Sequence, residues 1–99
     1  MQLKDFNETF VDELTDPEFV AAYLEAALEE SLQTFFVAVQ NVVKANGGMT
    51  KLAKTTGKGR ESMYKAFSEQ GNPEFSTVLT VLNALGIRLI FQGKGVTQG

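Results

Sequence analysis

MTKLAKTTGKGRESMYKAF, residues Met49 to Phe67, is the stretch whose reading decides the fold. Leu52 and Ala53 fall on one face of a short helix. Gly57, four residues after Ala53, supplies the permissive backbone that a tight turn requires. Met63, Ala66 and Phe67 then follow at i, i+3, i+4 spacing, the mark of the buried side of a second helix. A residue as small as Ala53 lets the two backbones cross closely. The spacing predicts a helix-turn-helix, with helices near residues 50–56 and 60–68, whose second helix enters a DNA major groove.

Upstream, Asp16-Pro17-Glu18 is a helix start: a side-chain acceptor for orphan amides, a proline suited to the first helical position, and an acid at the positive end of the dipole. Phe19, Val20, Tyr23, Leu24, Ala27 and Leu28 carry that helix to about Glu30. A second helix spans roughly 32–45, with Leu32, Phe35, Phe36, Val39, Val42 and Val43 on its inner side, and Asn46-Gly47-Gly48 stops it. Downstream, residues 70–73 read as a loop, and Phe75, Val78, Leu79, Leu82 and Leu85 mark a last helix closed by Gly86. Ile87–Gln92 alternates and predicts a short strand, paired either with its twin in a dimer or with the N-terminal arm. The expectation is an all-α domain of five helices with one short C-terminal strand. It divides into an N-terminal arm (1–15), a helix-turn-helix domain (16–92) and a flexible tail (93–99). In the arm, Leu3, Phe6, Phe10 and Leu14 form a helical stripe that Asn7, Thr9 and Thr15 weaken, so helix, strand and extended arm stay open.

Ninety-nine residues make one domain with one core. Cysteine and histidine are both absent, which removes disulfides, thiol nucleophiles, the usual zinc ligands and the commonest general base. No metal, no cofactor and no catalysis are expected. The uncharged run Ser31 to Val43 is too short and too polar to span a bilayer, and no leader opens the chain, so a cytoplasmic address is expected. The net charge of −3 is unevenly spread. Residues 1–30 hold nine of twelve carboxylates and one lysine, a balance of −8. Residues 44–65 hold Lys44, Lys51, Lys54, Lys58, Arg60 and Lys65 against Glu61 alone, a balance of +5. Such a chain presents one basic and one acidic surface, with different partners.

On the basic surface, Arg60, Glu61, Ser62, Tyr64 and Lys65, with Ser68 as a lesser candidate, fall on the side of the second helix left free by Met63, Ala66 and Phe67. Arginine or lysine reads guanine through its two acceptors, and glutamate accepts from cytosine. Thr50, Lys51, Lys54 and Lys58 are placed for phosphates, which orient a domain without reading sequence. The bland alternative is a solvated lysine-rich face; coincidence with a helix-turn-helix favours DNA. A two-fold dimer is the default, because such proteins read two half-sites one helical turn apart. The acidic face, Asp5, Glu8, Asp12, Glu13, Glu25, Glu29 and Glu30, is either a docking surface for a basic protein or a solubilising face. The aromatics Phe19, Tyr23, Phe35, Phe36, Phe67 and Phe75 recur at helical spacing and are expected in the core.

The phrase MTKLAKTTGKGRESMYKAFSEQGNPEFSTVLTVLNALGIRL, with DPEFVAAYLEAALEES upstream, resembles the helix-turn-helix antitoxins called addiction-module antidote proteins, HigA-like members of the lambda-repressor-like group. RESMYKAFSEQGNPEF is its most specific part. The resemblance implies a repressor of its own operon that also binds a small basic toxin, usually a messenger-cleaving ribonuclease, through the acidic first helix, with Glu25, Glu29 and Glu30 as candidates. Where that family usually places an apolar residue and then serine after the turn glycine, this chain has Lys58 and Gly59. The change removes an apolar pin and weakens a cap, and it adds a cation beside the phosphates. A phage-type repressor with no toxin partner, and an interaction module that has lost DNA binding, are the other readings.

Overall fold

A computed structural model of the chain describes residues 13–57, 59–68 and 70–94. Among these, a 3-10 turn, Glu13–Thr15, precedes five helices: α1 Pro17–Glu30, α2 Leu32–Ala45, α3 Gly48–Thr56, α4 Arg60–Ala66 and α5 Phe75–Ala84. Residues 1–12, on which most of the expected arm falls, lie outside the described part, as do Lys58 and Glu69.

Local chemistry sets the ends of α1 and α2 where the sequence places them. The Asp16 carboxylate accepts the Glu18 amide at 3.2 Å, with Pro17 in the first turn of α1. Ser31 alone joins α1 to α2 and serves both. Its amide donates to the Ala27 carbonyl, and its Oγ accepts the Thr34 amide at 2.9 Å. With a one-residue connection, α1 must fold back along α2, and these two helices form the most extensive contact among the described residues. At the other end of α2, Asn46 donates its side-chain amide to the Val42 and Leu14 carbonyls, at 2.8 and 2.9 Å. That bond draws the 3-10 turn onto the bundle, with Leu14 buried.

α2 is the spine. Val39, Val42 and Val43 are buried along it, Phe35 packs against Phe36, and Phe36 meets the edge of Phe67, at the end of α4, at 6.0 Å and 88°. Met63 and Val81 complete this centre from α4 and α5.

Four expectations need correcting. No strand forms among the described residues: Ile87–Gln92 is irregular, because the described residues hold no other strand for it to pair with. The helix expected from residue 50 begins at Gly48, since a two-residue turn, Asn46 and Gly47, is enough to reverse the chain. The helix expected to reach residue 68 ends at Ala66. Finally, Leu28, Leu32, Leu79 and Phe75 are exposed, Phe75 by 61%. Leu28 and Leu32 flank the α1–α2 connection and Phe75 opens α5, so these three lie at helix ends beyond the core. On α5, Ser76, Thr77, Thr80 and Asn83 form a polar side with Leu79 at its border, and the helix turns Val81 inward in place of Leu79.

Candidate nucleic-acid interface

The expected DNA-binding unit falls on α3 and α4, which residues 57–59 separate. Gly57 ends α3 with φ +76°, its amide donating to the Ala53 carbonyl at 2.8 Å. Only glycine takes that backbone region without strain, so the reading of Gly57 as the turn residue holds. α3 buries Met49 and Leu52, and α4 buries Met63, which is 1% exposed, followed by Phe67 at 0%. Met49 escaped the sequence reading because it stands in the turn before the expected helix.

With Met63 and Phe67 turned inward, Arg60, Glu61, Ser62 and Lys65 are all exposed on α4. Thr50, Lys51 and Lys54 are exposed on α3. Lys58 lies outside the described residues, so its placement beside them is not part of this geometry. Tyr64 differs from the other base-reading candidates: it is half-buried and packs against the core, and the Arg60 guanidinium lies over its ring, 5.4 Å from the centroid. A cation held over an aromatic face loses rotamer freedom, so Tyr64 acts on the surface through Arg60. Ser68 is half-buried, and its hydroxyl donates to the Lys65 carbonyl at 2.9 Å, closing the end of α4. Gly59 precedes α4 without a side-chain cap, as expected from the missing serine.

A helix of seven residues has little stability of its own. Its orientation comes from α2. The Gln40 side-chain amide donates to the carbonyls of Tyr64 at 3.4 Å and Phe67 at 3.0 Å, two groups that the end of a helix leaves without partners. Gln40 is a functional residue that does not stand out in the sequence. The available signal was a polar residue four positions after Phe36 and three before Val43, inside the apolar stripe of α2. Gln40→Glu keeps the shape but points acceptors at two carbonyl oxygens, and Gln40→Leu removes the donor. Denaturant titration is expected to show a loss of about 1–3 kcal/mol for leucine and a larger one for glutamate. Equal losses would mean that the side chain contributes only its volume.

The acidic residues are elsewhere. Glu25, Glu29 and Glu30 are exposed on α1, which packs on α2 and the 3-10 turn, and Glu13 is exposed in that turn. Asp5, Glu8 and Asp12 lie outside the described residues. Among the described residues no group of acids is arranged to hold a metal, and no helix is long and apolar enough to cross a membrane.

Comparison with known proteins adds to this geometry. An uncharacterised protein of Haemophilus influenzae is 36% identical over 92 residues, which is 92% of each chain. No solved structure matches at a significant level. The model of a family described as probable addiction module antidote protein matches residues 2–92, nearly the whole chain. The chain therefore belongs to the family of probable addiction module antidote proteins.

Proposed function

We propose that the protein is an antitoxin that holds a small basic ribonuclease toxin inactive and, as a homodimer of lambda-repressor-like domains, represses its own operon by binding DNA. Membership of the antidote family supports the antitoxin role and a toxin partner. One observation carries the DNA-binding part. α4 buries Met63 while Arg60, Glu61, Ser62 and Lys65 face outward, with Lys51 and Lys54 exposed on the preceding helix. A helix presented in this way has base-reading groups on its outer side and phosphate-neutralising groups on its neighbour. Arg60, stacked on Tyr64, is the leading base reader; Thr50, Lys51, Lys54 and Lys58 take phosphates. The toxin is assigned to α1, through Glu25, Glu29 and Glu30, whose negative charges would steer a basic protein. Residues 1–15 serve as an arm and 93–99 as a tail of the 16–92 domain.

Binding to the chain's own promoter and to a scrambled duplex, followed by fluorescence anisotropy, tests the division of labour. Arg60→Ala is expected to lose about 1–3 kcal/mol on the promoter and much less on the scrambled duplex. Lys54→Ala is expected to weaken both alike and to lower the salt slope by about one unit. Equal losses on both duplexes for the two variants would refute the assignment. No salt-dependent binding to any duplex would leave an interaction module. A harmless neighbouring gene product that does not co-purify would leave a simple repressor.

A further inference from the structure

Six of the seven large apolar side chains exposed among the described residues line one groove, and Leu79 stands outside it. Leu28 and Leu32 reach it from the α1–α2 connection, Phe75 from the start of α5, and Leu89, Ile90 and Phe91 from the segment after α5. Buried Leu24, Phe35 and Leu82 also line it. The groove is open, with a volume of about 880 Å³, and no residue of α3 or α4 takes part in it. Monomeric proteins rarely leave large contiguous apolar patches facing water.

We propose that this groove seats an apolar segment of a basic protein, one whose large aliphatic or aromatic side chains are bracketed by lysine or arginine, and that this protein is the toxin of the proposed function. The inference rests on the antitoxin reading and deepens it. The α1 carboxylates steer the toxin, and the groove beside them holds it.

Charge selects this occupant. Glu25 lines the groove. Glu29 and Glu30 are exposed between the lining residues Leu28 and Leu32, and Glu74 is exposed between Pro73 and Phe75. Against these carboxylates stand Arg88 in the lining and Lys94 two residues beyond Gln92. An acidic rim repels the phosphates of a nucleic acid, and a second copy would bring the same carboxylates against their own kind. The chain's own residues 1–12 carry Asp5, Glu8 and Asp12 against Lys4, the same sign as the rim. A basic protein is what this charge attracts. The apolar walls then decide how long it stays, because a few aromatic and aliphatic anchors carry most of the affinity of an interface while the charges around them act mainly on association. With α3 and α4 outside the groove, the candidate DNA-reading surface stays open while the toxin is held.

Biolayer interferometry of the full chain on the immobilised product of the neighbouring gene tests the proposal. Phe75→Ser and Leu28→Ser are each expected to raise the dissociation constant at least tenfold, through faster dissociation, with unchanged helical circular dichroism. Glu29→Gln combined with Glu30→Gln is expected to slow association severalfold and flatten its salt dependence, with dissociation little changed. Arg88→Glu, which removes a like charge from the path of a basic partner, is expected to speed association. Leu79→Ser, on α5 but outside the groove, is expected to bind as wild type does. A wild-type complex that Phe75→Ser and Leu28→Ser leave at full strength overturns this proposal while the antitoxin reading stands. Absence of any complex with the wild-type chain overturns both. The groove belongs to a second copy, and the proposal fails, if sedimentation shows those two variants breaking a dimer of the chain while the toxin still binds them as tightly as before.

Discussion

Phe67→Ala is expected to lower stability by about 4 kcal/mol, within the range for emptying a fully buried aromatic site. For a domain of this size, with a total of roughly 5–10 kcal/mol, that is about half of what holds it together. Phe67 has no exposed surface and ends α4 against the edge of Phe36. Met63, Val39 and Val81, also fully buried, belong to the same core cluster, so the core around the gap is drawn from three helices that cannot all close on it. A thermal melt should show a midpoint roughly 15–30 °C lower, at about 4–8 °C per kcal/mol. Phe67→Leu, which refills most of the volume, should recover more than half of the loss. A midpoint within a few degrees of wild type for alanine would mean that the centre of the bundle is not where Phe67 places it.

Gly71→Ala is the second large effect, and it works by collision. A Cβ on Gly71 would run into the carbonyl oxygens of Ala66 and Lys65, well inside contact distance. These are main-chain atoms, so no rotamer change relieves the clash. The Gly71 amide donates to the Ser68 carbonyl at 3.0 Å, and the loop is drawn tightly across the end of α4. Moving it away breaks that bond and disturbs the carbonyls near those that Gln40 holds. The expected cost is about 3 kcal/mol, at the upper end for overpacking. Gly93→Ala, where nothing lies near the added carbon, is the matched control and should leave the melting curve unchanged. Equal curves for the two variants would show that the loop stands off from the helix.

The parts of this fold that were legible in the sequence are those decided within a few residues. Asp16-Pro17 starts α1 because the cap and the helix amide it serves are two residues apart, and Gly57 ends α3 because its own backbone dihedral does so. The spacing of Met63 and Phe67 turned α4 the right way, and the remaining α4 candidates, Tyr64 apart, consequently came out exposed. What failed depended on distant chain. Periodicity showed that Leu28, Leu32 and Phe75 belong to apolar stripes, but whether a stripe is covered at its end depends on an element elsewhere. A strand at Ile87–Gln92 requires a partner that alternation within six residues does not specify. Tyr64 occupies a boundary position on α4, and only the arrangement of its neighbours decides that it packs half inside beneath Arg60. Gln40 lies 24 and 27 residues from the carbonyls it binds, so no local pattern connected them.

That last feature bears on how such a domain can diverge. Gln40 holds α4 by main-chain oxygens, which every amino-acid sequence possesses, and the inner side is fixed by Met63 and Phe67. The anchorage is therefore indifferent to the outward side chains at positions 60, 61, 62 and 65, where surface exchanges change stability by only about half a kcal/mol. Descendants of this chain can rewrite those four positions one at a time, each step leaving a folded protein. The surface that faces a partner can drift while the frame behind it stays fixed.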